Sequence, residues 1–293
     1  MKVTILASGS KGNASLYQSA TTSVLVDAGI GVAPIAALVP RLDAIVITHA
    51  HGDHTGNYAR LARKMKARVY LSEATSRALE DPAGILKFSP REPFQIGDIT
   101  IAPTPLPHDA AQVGLVLSDG QRRVALVTDL GEVPPGLVDH LRGCDTLLLE
   151  SNHDIGMLIQ GPYRDFLKKR VASAKGHLSN DQACAFLRAH YKDARFFGET
   201  GASTVVLMHL SEQNNLPGIA FAQAQDTLSG RDVRLLVASQ REPLQVIRGG
   251  ERPQARSGRC GERPPHLPPL TPGDGCDPGP RRWVAGGDAG REG

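Results

Sequence analysis

Aromatic side chains are scarce in this chain. Phenylalanine, tyrosine and tryptophan together make up 4% of its 293 residues, with a single tryptophan. A core must therefore be filled by Val, Leu, Ile and Ala, which the 41% apolar fraction can supply. Cysteine is scarce too: the four at 144, 184, 260 and 276 form no CxxC pair. That does not read as a disulfide framework or a zinc–thiolate site, and a reducing cytoplasm is the expected compartment. No charge sign dominates, since 33 basic against 30 acidic side chains leave a formal +3. So small a balance excludes no partner, because a local basic groove can still bind a polyanion. Long apolar runs are missing as well. No stretch approaches the roughly 20 residues of a membrane span. The apolar run in the opening "MKVTILASGSKG" is shorter than the roughly 7–15 residues of a signal-peptide core. The expectation is a soluble, intracellular protein with no membrane partner.

What is present is a series of short β-rich stretches with helices between them. "KVTILAS", "SVLVDAG" and "LDAIVITHA" read as strands, the last apolar enough to be buried on both faces. "NYARLARKMKA" has helical spacing and a basic face, and "RVYLS" is a strand after it. From Phe94 to Asp129 the pattern is strand-like throughout. "GLVDHLRG", "YRDFLKKRVAS", "NDQACAFLRAHY" and "IAFAQAQDTLS" read as helices among the strands "CDTLLLES", "STVVLMHLS" and "VRLLVAS". Mixed α/β layers follow, with helices covering the outer faces of sheets. Composition breaks after about Arg248. Residues 249–293 are rich in Gly, Pro and Arg and poor in aliphatics, so they read as a disordered tail beyond one domain of residues 1–248.

The stretch "ITHAHGDHTG" concentrates the chemistry. His49, His51, Asp53 and His54 spell HxHxDH directly after an apolar strand. Imidazole and carboxylate together suit a borderline divalent ion such as zinc. The pattern resembles the metallo-β-lactamase fold superfamily, in which HxHxDH is followed by a His, an Asp and a last His, each at a strand end. His108 in "PLPHDA", Asp129 in "ALVTDLG" and His209 in "VVLMHLS" stand in that order. The resemblance implies a four-layer αββα sandwich. It assigns His49, His51 and His108 to one metal, Asp53, His54 and His209 to a second, and Asp129 to both. His153 is the competitor for the place of His108. His51 stands where the diiron branch has Glu, which points to hydrolysis with zinc, or alternatively manganese.

Further motifs narrow the branch. "ASGSKGNA", "LLLESNHD", "GPY", "LKKRV", "GHLSN" and "HLSEQNN" resemble the hallmarks of the YycJ/WalJ-like metallo-hydrolases over residues 1–248. That branch is associated with 5′-to-3′ exonuclease action on DNA, so the resemblance implies a nuclease with DNA as substrate. By a similar resemblance to ribonuclease Z, Glu150 and His177 would assist the leaving oxygen, with Asp53 beside the nucleophile. The bland alternatives are helix capping for "HLSND" and a solvent-reaching strand-end charge for Glu150. Lys11, Asn13, Asn152 and Asn180 are candidate substrate anchors, although the glycines around Lys11 also suit a plain hairpin. Two basic groups, Arg60/Arg63/Lys64/Lys66 and Lys168/Lys169/Arg170, could track phosphates or simply face water. The spacing between Asp129 and His209 leaves no room for a β-CASP cap, and no long arm of the kind ribonuclease Z uses for tRNA interrupts the core. Two alternatives stay open: a small-molecule metallo-hydrolase acting on a thioester, lactone or cyclic phosphodiester, and a non-catalytic nucleic-acid-binding protein stapled by metal.

Overall fold

The computed structural model describes residues 1–196 and 201–247. The stretch 249–293, expected to be disordered, lies outside the described residues. Strands β1 (Lys2–Ala7), β2 (Ala14–Gln18) and β3 (Ser23–Val26) form an antiparallel meander. Strands β4 (Ala44–Val46), β5 (Arg68–Ser72) and β6 (Ile85–Phe88) extend it in parallel. The chain then repeats the scheme. Strands β7 (Phe94–Ile96), β8 (Ile99–Leu106), β9 (Gln112–Ser118) and β10 (Arg123–Val127) are antiparallel. Strands β11 (Thr146–Glu150), β12 (Thr204–Met208) and β13 (Arg234–Val237) follow in parallel. Strand β14 (Leu244–Ile247) returns to pair with β1. The result is two seven-stranded sheets, ordered β14-β1-β2-β3-β4-β5-β6 and β13-β12-β11-β10-β9-β8-β7.

Parallel neighbours need crossovers, which helices supply. In the first half these are α1 (Val32–Leu38), α2 (Gly52–Thr55), α3 (Tyr58–Met65) and α4 (Glu73–Ala78). In the second they are α5 (Leu137–His140), α6 (Ile155–Gln160), α7 (Asp165–Val171), α8 (Asn180–Phe196) and α9 (Pro217–Thr227). Side chains alternate along each parallel strand, and both sets are buried. Val24, Val26, Ala44 and Val46 meet Val124, Leu126, Leu148 and Val206 between the sheets. Leu25, Ile45 and Ile47 pack outward with Ile35 and Leu61 of α1 and α3. Leu147, Leu149, Val205 and Leu207 pack outward with Phe186, Leu187 and Phe221 of α8 and α9. Three apolar layers between four structural layers make the αββα sandwich, and they explain why these strands read as continuous apolar runs. Cys144 and Cys184 are buried and unpaired within this interior.

Several short elements were not anticipated. Strand β2, with the sequence ASLYQ, lacks a β-branched run. Helices α1, α2, α4 and α6 are each of one or two turns, too short to establish a period. Among the described residues, no helix is long and apolar enough to cross a membrane.

Candidate metal centre

The parallel strands of both sheets end on one side of the sandwich, where open α/β sheets place their ligands. At three of these ends the chain turns through a left-handed residue: Asp27 after β3 (φ 61°), Asp129 after β10 (φ 60°) and His209 after β12 (φ 56°). Non-glycine residues rarely adopt this conformation, and where they do it concentrates at functional sites. After β4 the chain leaves the sheet through Thr48 and His49, and His51 then opens α2, which carries Asp53 and His54. Gly29 makes that path possible, since a Cβ there would lie 1.7 Å from the carbonyl oxygen of Asp53.

All seven residues expected as ligands converge. Donor atoms of His49, His51 and His108 lie within 4.8 Å of one another, as do those of Asp53, His54 and His209, and those of His49, His54 and Asp129. Each of the first two trios takes two members from the HxHxDH stretch of the first sheet and one from the second sheet. In the first trio, His49 Nε2 faces His51 Nδ1 at 2.9 Å, and His108 Nε2 faces the same atom at 3.4 Å. His108 Nδ1 is engaged with the Gly176 carbonyl at 3.0 Å, so its Nε2 presents a lone pair inward. In the second trio, His54 Nδ1 pairs with Asp27 Oδ2 at 2.8 Å and His209 Nδ1 with Glu150 Oε1 at 2.9 Å. Their Nε2 atoms are thereby left facing inward, available to a metal once deprotonated. His209 Nε2 and Asp129 Oδ2 are buried without any hydrogen-bond partner. Buried polar atoms are seldom left so, and their convergence with the other donor atoms marks a place for a cation. The donor set fits a divalent metal site. His153, the competitor for His108, belongs to none of the trios. It is buried and bridges to Ser179.

Electrostatics divide the histidines. Burial, with help from His54, pushes His49 down to about 2, and burial also lowers His108. Burial likewise opposes a charge on His209, but Asp129, Asp53 and Glu150 overcome it and raise that ring to about 10. His54 is raised well above its ordinary value, because Asp129 and Asp27 outweigh its burial. Asp129 is fully buried yet held well below the usual carboxylate range by His209 and His54.

Glu150 has more work than expected. Besides His177 Nδ1 at 2.8 Å it accepts from His209 Nδ1, and its second oxygen takes the amides of Leu130 and Leu178, each at 3.1 Å. Burial opposes its ionisation, but His177 and His209 hold it at about 2. Four donors on one buried carboxylate make it a support for two rings rather than a strand-end charge in water. Asp27 was missed altogether. It is buried and accepts from Thr48 N at 2.9 Å as well as from His54. The available signal was a carboxylate closing the apolar run "SVLVD".

The three candidate asparagine anchors are buried. Asn13 Oδ1 accepts from Gly9 N at 2.9 Å, and its Nδ2 reaches His54 Nε2 at 3.0 Å and Asp53 Oδ2 at 3.3 Å. Asn152 lines the cleft but donates to the His209 carbonyl at 2.8 Å. Asn180 is buried in a network with Ser151 and Asn215. These amides stitch site loops together. Lys11 is exposed and pairs with Glu212 at 2.5 Å. The basic residues of α3 point to solvent opposite the buried Leu61.

Above the ligands lies a cleft of about 220 Å³, lined on one side by His51, Asp53, Asp129, His177 and His209 and on the other by Tyr163, Leu167 and Arg170 of the α6–α7 region. His177 Nδ1 is held by Glu150, so Nε2 is the ring nitrogen left to serve the cleft. Gly176 before it is required, because a Cβ would lie 2.2 Å from the carbonyl oxygens of both Arg170 and Val171.

Residues 22–210 match the β-lactamase superfamily domain. The chain is 33% identical over 249 residues to the exodeoxyribonuclease WalJ of Streptococcus pneumoniae, covering 79% of this chain and 90% of that one. It is 32% identical over 238 residues to the exodeoxyribonuclease YycJ of Bacillus anthracis, covering 76% and 88%. The crystal structure of the metallo-β-lactamase fold protein YhfI of Bacillus subtilis superposes with a TM-score of 0.64 at 19% identity, covering 84% of this chain and all of that one.

Proposed function

Because the chain belongs to the metallo-β-lactamase superfamily, we propose that its cleft hydrolyses the phosphodiester bonds of DNA, removing nucleotides in the 5′-to-3′ direction, with two zinc ions as the resident metals and manganese as the alternative. The reading is supported above all by the convergence of seven donor side chains beneath a cleft that also holds a His–Glu pair. The exodeoxyribonuclease names of relatives aligned over most of their length support the choice of DNA. His49, His51 and His108 would hold one ion, Asp53, His54 and His209 the other, and Asp129 would be shared. When bound, such paired cations acidify a water and offset the charge that builds on phosphorus.

The chain's own residues do the rest. Asp53 faces the cleft and offers a carboxylate oxygen to orient the attacking water, with Asn13 steadying it at 3.3 Å. His177 supplies a proton from Nε2 to the departing sugar oxygen, a poor leaving group that needs an acid. Glu150 fixes the ring by holding Nδ1, and through His209 it ties that acid to the ligand cage. The cytoplasm suits such an enzyme, with buried, unpaired cysteines.

The test uses end-labelled single- and double-stranded DNA and RNA, with metal-replete protein, chelated protein and His49→Ala in parallel. Stepwise loss of DNA from the 5′ end, abolished by chelation and by the substitution, is expected. Activity on a small phosphodiester, thioester or lactone but on no nucleic acid would move the reading to a small-molecule hydrolase. Metal-independent DNA cleavage would overturn it.

A further inference from the structure

The outer wall of the cleft is made of unusual material for this chain. Tyr163 and Leu167 line it, and Phe166 beside them is 69% exposed. Ile159 at the end of α6 is 66% exposed and Ile155 45%. Phe88, Phe186 and Phe221 are buried and Phe94 is half-buried. In a chain with so few aromatics, this wall carries one in the cleft and another on its edge. Single exposed apolar residues are ordinary, but a cluster at the mouth of a cleft marks a contact surface. The cluster is set among cations: Arg164, Lys168, Lys169 and Arg170 oppose the single Asp165.

The wall is also braced. Asp154 caps α6 through Met157 N at 2.8 Å, and Lys168 Nζ donates to the Ile159 carbonyl at 2.5 Å, tying α7 to the end of α6. Arg170 Nε donates to Asp109 Oδ2 at 2.6 Å, and the other oxygen of Asp109 lies 3.2 Å from His51 Nε2. That single bond fixes the guanidinium at the cleft while leaving both Nη groups for a ligand. Phe166 lies one turn before Arg170 on the same helix, so the two side chains share a face.

Resting on the nuclease reading above, we infer that this wall seats the unpaired end of a nucleic-acid strand, with a base stacked on Phe166 and the neighbouring phosphate gripped by the Nη fork of Arg170. A positive rim interleaved with aromatics is the chemistry that binds single strands without regard to sequence. A planar fork suits a phosphate oxygen pair better than a point charge does. The size of the cleft agrees. About 220 Å³ is below the roughly 300–1,000 Å³ of pockets that enclose drug-sized ligands, so it takes a phosphodiester and part of one nucleoside. A paired end would have to fray before its terminal phosphodiester could enter.

The experiment compares kcat and KM on a single-stranded oligonucleotide with those on methyl 4-nitrophenyl phosphate, a diester with neither a nucleobase nor a second phosphate. Phe166→Ala should lower kcat/KM on the strand about tenfold more than on the small diester, with the loss carried in KM. Phe166→Trp should restore it and Phe166→Leu should not, because stacking and not mere apolarity is at work. Arg170→Ala should lower the slope of log KM against log salt by about 0.7, the value of one phosphate contact on a single strand. Leu38→Ala and Leu86→Ala remove exposed leucines far from the cleft wall and should change neither substrate's kinetics. Equal losses on both substrates, rescue by Leu as good as by Trp, or an unchanged salt slope would each overturn the inference while leaving the nuclease reading standing. Failure of the wild-type protein to cut any strand would strike the nuclease reading itself and this inference with it.

Discussion

The two halves of the proposed ligand cage are made of different materials. The half formed by His49, His51 and His108 is all imidazole. Behind it stand a hydroxyl (Thr48 Oγ1, 3.1 Å from His49 Nδ1), a carbonyl (Gly176, 3.0 Å from His108 Nδ1) and the partly exposed Asp109 beside His51. The half formed by Asp53, His54 and His209 includes a carboxylate, and each of its histidines is backed by another, buried one, Asp27 or Glu150. Carboxylates behind a histidine raise its basicity and fix its orientation. The second half should therefore hold its cation harder, and the first should exchange more readily through the open side at His51. Asp129 joins them, and that residue is where the comparison can be tested most severely.

Asp129→Asn should reduce hydrolysis by more than the roughly 100-fold at the top of the range for outer supporting residues, since it weakens both halves at once. Metal content and activity, measured on the same sample, check this. Next in size are the supports. Glu150→Gln and Asp27→Asn should each weaken one bound metal by about 10–100-fold and bring stoichiometry toward one per chain under mild chelation. Asp109→Asn should do less, because its partner His51 is half-exposed. If Asp109→Asn strips metal as readily as Glu150→Gln, the halves are not unequal.

Proton release sharpens the same contrast. Ligands must be deprotonated to bind metal. In the metal-free protein His209, raised to about 10, and His54, also raised, are charged at pH 7, whereas His49, lowered to about 2, is neutral. Loading the second half should expel protons and tighten as pH rises toward 10, while His49 and His108, both lowered, should contribute little pH dependence above neutrality. Calorimetry in buffers of differing ionisation enthalpy reads this directly. The smallest effect concerns His153, which burial pushes down to about 4. Between its ordinary 6.5 and about 4 the unfolded chain takes up a proton that the folded one refuses, so stability is complete above 6.5 and falls as pH drops through that window. His153→Gln should make the fall of Tm with acid shallower.

The same division governs what could be read from residues alone. Four candidate ligands of the first sheet lie within six positions, and their spacing points to a metal. His108, Asp129 and His209 are scattered single residues at strand ends, and only a family resemblance assembles them. Asp27, Asp109 and the second bond of Glu150 act across the fold, between residues far apart in the chain, and no local pattern encodes that. The amides of Asn13 and Asn180 read as substrate anchors in sequence, since polarity near a motif looks the same whether it faces outward or holds a loop, and the structure bonds them to neighbouring loops. At the level of fold, strands covered on both faces stood out as apolar runs. Short elements such as β2 and α1 did not, being fixed by their neighbours more than by their own period.

Each trio draws two donors from one sheet and the third from the other, so neither half of the sandwich completes a trio until the two have closed on each other. Chelation and tertiary assembly become a single event, and ions that recognise only the assembled form stabilise it by mass action. On the nuclease reading proposed above, a centre wired in this way has a built-in safety catch: a nascent or partly unfolded chain carries every reactive side chain without the assembled site that would make it dangerous.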